Sequence, residues 1–346
     1  MLYIILIASF ISSIVLTPLV KKFAIAIGAT DKPNHRKVHQ KIMPRLGGLA
    51  IFLSFLVGYL LWMPTEEYAL PILVGALIII ITGVFDDKFE LSAKTKLLGQ
   101  LAAALTVVLW GGAKVEFINL PFGGMIEFGY LSIPLTILWI VGVTNAINLI
   151  DGLDGLAAGV SSIALISISG MAIVMGDMFV ATMGAIVLAS TLGFLIYNFH
   201  PAKIFMGDTG ALFLGFIISI LALLGFKNIT VVSLIIPIII LGVPISDTFF
   251  AIIRRLYNKQ PLSAPDKSHL HHCLLRFGLS HKQTVLVIYL IAALFGMTAL
   301  IFSMSTQWGA ILVLAIMLLA IELFVEVIGL IGSNYRPILN LMRGRR

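Results

Sequence analysis

Apolar residues fall along this chain in long runs, each close to the roughly 20 residues that a helix needs to cross a hydrocarbon core of about 30 Å. The runs cover residues 2 to 20, 47 to 62, 70 to 85, 97 to 112, 131 to 147, 156 to 175, 178 to 197, 209 to 226, 229 to 251, 284 to 303 and 308 to 331. They predict an all-α polytopic integral membrane protein with about 11 transmembrane helices, a single transmembrane domain over residues 1–346. The first run has no basic residue before it and Lys21 and Lys22 just after it. It is therefore read as a first membrane helix rather than a cleaved signal, with the N-terminus outside the cytoplasm.

Alternation from that start makes residues 21 to 46, 86 to 96, 148 to 155, 198 to 208, 252 to 283 and 332 to 346 cytoplasmic, the C-terminus included. Of the 23 Lys and Arg residues, all but Lys114 and Lys227 fall on that side, the bias expected of positive-inside topology. Composition agrees: 60% hydrophobic residues, 11% charged residues and a mean hydropathy of +1.08 exclude a soluble globular chain. The net charge of +7 then faces anionic membrane lipid, and no nucleic acid is needed to explain it. The one cysteine, Cys273, cannot form an internal disulfide.

The same alternation gathers the polar stretches RKVHQKIMPRLGG (36 to 48), FDDKFE (85 to 90), NAINLIDGLDG (145 to 155), YNFHPAKIFMGDTG (197 to 210) and PDKSHLHH (265 to 272) on one face. The outer stretch 114 to 124 reads as a connection, a short hairpin. Asp86 and Asp87 repel one another at the end of an apolar helix, which raises one pKa or holds a divalent cation; a solvated helix end is the plainer alternative. Asn148, Asp151 and Asp154 recur every three residues and share a face if the backbone stays near-helical, with Gly152 and Gly155 opening the backbone to other groups. Such oxygen donors suit Mg²⁺ shared with substrate phosphates. Asp208 or Thr209 reads as the N-cap of the next helix, whose start is also an anion site. Asn198 and Phe205 offer an amide for a base edge and a ring for stacking. His269, His271 and His272 lack zinc-site spacing and, with Arg45, Lys94 and Lys96, better suit phosphate.

Together these motifs resemble the polyprenyl-phosphate N-acetylhexosamine-1-phosphate transferases, whose motifs occur in the same order over about residues 17–283. PRLGG and HLHH look like the branch that uses UDP-N-acetylglucosamine, and the wording around residues 17 to 39 looks like its wall teichoic acid members. The resemblance implies transfer of GlcNAc-1-phosphate from UDP-GlcNAc to undecaprenyl phosphate at a bacterial cytoplasmic (plasma) membrane. It implies Mg²⁺, with Mn²⁺ as a substitute ion, and a homodimer. Residue by residue, it implies metal ligation by Asp208, Asn148 and Asp151, and catalytic roles for Asp86, Asp87, Asp151, Asp208, His271 and His272. It assigns substrate binding to Arg45, Lys96, Gly152, Asp154, Asn198, Phe205 and His269. The family's DDxxD is here DDKFE, so Glu90 stands where an Asp is usual, which puts a tight metal role there in doubt.

Two rivals define the alternatives. A phospho-MurNAc-pentapeptide transferase runs the same chemistry on another nucleotide, but Arg45 and HLHH argue against it. A transporter or flippase of phosphorylated sugars or lipids predicts ionisable residues within the spans and access from both faces. Here such acids are few (Asp247, Glu322, Glu326), and the clusters sit on one face.

Overall fold

The structure, a computed structural model, describes residues 1–31, 42–119, 124–226, 231–257, 259–261, 268–330 and 335–342. Residues 36–41 of the first polar stretch and 265–267 of the last lie outside the described residues. Helix α1 (Leu2–Ile27) leads through the paired two-residue strands β1 (Thr30–Asp31) and β2 (Met43–Pro44) into α2 (Gly47–Trp62) and α3 (Ala69–Phe89). Helix α4 (Ala93–Leu105) continues as a π turn to Trp110, and β3 (Phe117–Asn119) pairs antiparallel with β4 (Met125–Glu127), the expected hairpin. Then follow α5 (Ser132–Leu149), α6 (Leu156–Met175), α7 (Met178–Asn198), α8 (Gly207–Phe226), α9 (Val231–Ile240) and α10 (Gly242–Tyr257). The chain closes with α11 (Leu270–Arg276), α12 (His281–Met304), α13 (Gln307–Ile328) and α14 (Pro337–Met342).

Among the described residues, eight helices are long and apolar enough to cross a bilayer, or nine spans if α9 and α10 count as one. Each of the 11 predicted runs meets a helical element, but α2 (16 residues) and α4 with its π turn are shorter than a plain span. The run from 229 to 251 is not one helix. It bends by 84° between Ile240 and Gly242, where Pro244 lacks the N–H that would bond to the carbonyl one turn back.

Helix α8 lies at the centre, with 94% of its span buried, whereas α13 has 11% buried and turns Ile311, Leu312 and Ile316 outward. A helix apolar all round and enclosed by others is the core of a membrane bundle. Around α8 stand α2, α3, α5 and α6. Their approach relies on small residues: Gly75 of α3 leaves room for the Phe216 ring, since a Cβ there would lie 2.6 Å from its Cζ. This crowding sets the N-terminus of α8 directly against the ends of α2 and α3.

Candidate active site

The first turn of α8 has free backbone N–H groups, as every helix start does. They are satisfied from another helix. Asp87, near the end of α3, accepts from Asp208 N at 2.9 Å through Oδ1, and from Thr209 N at 3.1 Å and Thr209 Oγ1 at 2.6 Å through Oδ2. The expected local cap by Asp208 or Thr209 is thus replaced by a carboxylate 121 residues upstream of Asp208, and the anion position at this helix start is filled by the protein itself. The loop before α8 is fixed as well: Gly47 N donates to Phe205 O, Gly48 N to Met206 O, and Phe205 N to Pro44 O, each at 2.9 Å. That ladder brings Arg45 to the same spot.

Asp208 therefore has a fixed backbone and a carboxylate aimed at its neighbours. Lys96 Nζ donates to Asp208 Oδ2 at 2.7 Å and to Asp86 Oδ2 at 3.0 Å, and Asn148 Nδ2 lies 3.4 Å from Asp208 Oδ2. Arg45 sits 3.7 Å from Asp87 and 3.7 Å from Asp31. Burial works against its charge, but Asp87, Asp31, Asp208 and Asp86 outweigh that and hold the guanidinium above its usual range. Asp151 is open to a cavity but ringed by protein. Burial first, then Asp208 and Asp87, pushes its carboxyl up to about 7. Acids here outnumber fixed cations: Asp86, Asp87, Asp151 and Asp208 face Lys96 and Arg45.

A cavity of about 400 Å³ opens above this cluster, lined among others by Arg45, Asn148, Asp151, Gly152, Asp154, Asn198, Phe205, Asp208, His271 and His272. Ten of the predicted site residues thus line one cavity. Asp86, Asp87 and Lys96 lie just beneath it through their contacts with Asp208. His269 does not line the cavity. Its Nδ1 pairs with Asp247 Oδ2 at 2.9 Å, and Leu270 N donates to Asp247 Oδ1 at 2.8 Å, so the pair pins the start of α11 to α10. The buried ring of His271 is thereby set over Gly152, where a Cβ would meet its Cε1 at 2.6 Å. Burial, with His272 next, holds the His271 imidazole down to about 3, so it is neutral at pH 7.

Residues 150 to 155 do not continue the helix. Helix α5 ends at Leu149, Gly152 N donates to Ile150 O at 2.8 Å, and Gly155 takes a left-handed φ of 77°. Asp154 is turned away from the face shared by Asn148 and Asp151, because its Oδ2 is paired with His200 Nδ1 at 2.8 Å and accepts from Ala202 N at 3.1 Å. Both ends of the Asn198 amide hold backbone: Oδ1 accepts from Gly155 N at 3.1 Å and Nδ2 donates to Ile204 O at 3.0 Å. Asn145 likewise serves packing, exchanging hydrogen bonds with Gln100 of α4 at 2.6 and 3.2 Å. Glu90 forms the left-handed end of α3, with its N–H on Asp86 O at 2.8 Å.

Sequence reasoning passed over Asp31, His200, His281 and Asp247. His200 stands inside the motif NFHPAKIFMGD and Asp31 just before another, and that proximity was the available signal. Asp247 stood out as an acid within an apolar run, but its partner His269 lies 22 residues away; for His281, 127 residues from Asp154, there was no signal. The donor set around Asp208 fits a hard divalent ion: two carboxylates (Asp208, Asp151) and an amide that presents Oδ1 after a half-turn of Asn148, in a cluster where acids exceed cations.

Comparison with known proteins follows the same lines. The model of glycosyl transferase family 4 matches residues 69–226. A probable undecaprenyl-phosphate N-acetylglucosaminyl 1-phosphate transferase of Bacillus subtilis (strain 168) is 53% identical over 334 residues, 96% of this chain and 93% of the relative. A decaprenyl-phosphate N-acetylglucosaminephosphotransferase of Mycobacterium leprae is 34% identical, covering 87% of this chain and 84% of its own. A phospho-N-acetylmuramoyl-pentapeptide-transferase of Halalkalibacterium halodurans is 34% identical, covering 85% and 95%.

Proposed function

Because this chain belongs to glycosyl transferase family 4, we propose that it transfers N-acetylglucosamine 1-phosphate from UDP-N-acetylglucosamine to undecaprenyl phosphate, releasing UMP. The observation that carries this reading is the cluster in which Lys96 bridges Asp86 and Asp208 at the floor of a polar cavity. The 53% identity to a relative named for that reaction supports the sugar and the lipid. The site opens to the cytoplasmic face of a bacterial plasma membrane, with the N-terminus outside. The whole chain acts as one transferase domain, with the machinery in residues 17–283, at the first step of a cell-envelope polymer such as the wall teichoic acid linkage unit.

In this reaction an oxygen of the lipid phosphate attacks the β-phosphorus. The bond from that phosphorus to the bridging oxygen breaks, and UMP leaves with the bridging oxygen. Two anions must meet, so positioning and charge neutralisation dominate the barrier. Lys96 and Arg45 supply fixed positive charge, and Phe205 offers a ring to the base. Neutral His271, backed by His269 and Asp247, offers a hydrogen bond without adding charge, and His272 lies against it. Asp208, Asp151 and Asn148 would hold Mg²⁺, which when bound stabilises negative charge on the phosphates. Asp86 and Asp87 orient Lys96 and the start of α8; a phosphate dianion needs no base at neutral pH. An apolar groove of about 400 Å³ between α5 and α10 reaches Ala146, two residues from Asn148, and suits a prenyl chain.

The test is UMP release by the purified protein in detergent with undecaprenyl phosphate. UDP-GlcNAc and UDP-MurNAc-pentapeptide are offered separately, with Mg²⁺ or EDTA. EDTA-sensitive UMP from UDP-GlcNAc alone is expected. UMP only with the pentapeptide nucleotide would transfer the chain to that branch, and none from folded protein would end the proposal.

A further inference from the structure

One group of side chains at the edge of the cavity, including Asp154 of the expected substrate-binding set, is not used by the steps above. Asp154, His200 and His281 come from three separate elements: the loop after α5, the loop after α7, and the first turn of α12. Their ligating atoms all lie within 4.8 Å of one another. Asp154 Oδ2 and His200 Nδ1 are 2.8 Å apart, His281 Nε2 accepts from Asp154 N at 3.0 Å, and the two imidazole rings stack with centroids 4.2 Å apart.

The geometry points to a second cation site, for a nitrogen-seeking transition ion of the Zn²⁺ class, formed by Asp154, His200 and His281 at the rim of the cavity. Two imidazoles and one carboxylate are a poor set for Mg²⁺, which prefers oxygen, and a good one for Zn²⁺ or Co²⁺ with one position left open. The site is built rather than accidental. His281 is fixed at the start of α12 by a capping box between Ser280 and Gln283. The loop carrying Asp154 is held by Asn198 on Gly155 N and by the Tyr289 hydroxyl on Gly155 O. Ligand atoms on one zinc ion sit about 3.3 Å apart, given bonds of about 2.0–2.2 Å. The 2.8 Å pair therefore has to open slightly and the Asp154 N–H has to release His281 Nε2, the ion taking the place of the hydrogen bonds that now engage these ligand atoms.

All three residues line the cavity proposed to hold the nucleotide. A metal here narrows that cavity and makes the site inhibitory, a consequence that rests on the proposed function. The binding itself does not.

Binding is measured first, without substrate and with excess Mg²⁺ to occupy the Asp208 cluster, by titrating purified protein with Co²⁺ and following its visible absorption. One saturating equivalent is expected, displaced by Zn²⁺. His200→Gln and His281→Gln should each weaken it at least about tenfold, the scale on which metal sites respond to lost partners, while His272→Gln leaves it intact. Absence of a saturable band, or a band lost only in His272→Gln, overturns the site. Since a variant can fail to fold, the wild-type protein is also treated with diethyl pyrocarbonate. Zn²⁺ should protect His200 and His281 and leave His272 reactive; equal modification with and without Zn²⁺ refutes the proposal. In the turnover assay, Zn²⁺ should raise KM for UDP-GlcNAc with little change in kcat. A saturating Co²⁺ site without that effect would keep the metal site and remove its inhibitory role.

Discussion

Substituting Gly83, which touches no substrate, tests whether the site depends on helix contact. Gly83 lies on α3 one turn before Asp87, and a Cβ there would stand 2.8 Å from Thr209 N and closer still to Thr209 Cα, where ordinary contact begins at 3.4 Å. Gly83→Ala must therefore drive α3 and α8 apart by about 1 Å, because backbone on both sides cannot rotate away. The three hydrogen bonds to Asp87, now 2.9, 3.1 and 2.6 Å, lie across that gap. Lengthened by as much, they leave the range of about 2.7–3.2 Å for N–H···O bonds, and each bond to a charged group is worth about 1.5–3 kcal/mol. Asp208 would shift with its helix, and a 1 Å misplacement costs about 100-fold in rate, or about 2.7 kcal/mol of barrier. The assay is UMP release from protein shown to be folded by gel filtration and circular dichroism. Gly170→Ala serves as the control, since a Cβ at that helical position of α6 meets nothing within 4 Å. Turnover of folded Gly83→Ala within about threefold of wild type would refute the reasoning, because it lies far from the 100-fold expected.

Other outcomes follow from the same contacts. Asp208→Ala should abolish UMP release yet keep the wild-type melting temperature within a few degrees, because Lys96 retains Asp86 and the cap on α8 comes from Asp87. Lys96→Met should leave Asp86 and Asp208 facing one another without a cation, lowering both turnover and stability, the latter by about 3–5 kcal/mol if the pair behaves as buried; melting curves and UMP release check this. His271 has a folded pKa of about 3, below its unfolded 6.5. The unfolded chain binds the proton first, so stability is lost as pH falls below 6.5, by about 2.7 kcal/mol near pH 4.5. His271→Asn should remove that part of the acid sensitivity, seen as a smaller drop in melting temperature between pH 7.5 and 4.5. Finally, the Gln100–Asn145 pair should show a coupling of about 1 kcal/mol in a double-mutant cycle on thermal stability.

The helices were legible because a bilayer demands long apolar runs, and every run met a helix. The bend at Ile240–Gly242 was not foreseen, although Pro237 and Pro244 lay in plain view, because the apolar run is continuous across it. At the site, residue type and spacing brought out Asp208, Lys96 and Arg45 as neighbours in chemistry. What sequence cannot convey is commitment: Asn198 and Asp87 have their polar atoms spent on backbone, and His269 on Asp247. Asp154 was expected on one helical face with Asn148 and Asp151. It left that face because the helix stops at Leu149 and Gly155 reverses the chain.

The cap that Asp87 places on α8 also bears on how the protein is made. Helix α3 leaves the ribosome more than a hundred residues ahead of its partner, since Asp87 and Asp208 are 121 residues apart. During that interval Asp86 and Asp87 end a membrane helix with Asp208 and Thr209 still unmade, and water at the membrane surface serves their carboxylates instead. Docking of α8 replaces that water with three donors and completes the reacting centre in the same event, so a chain that stalls before α8 is inert.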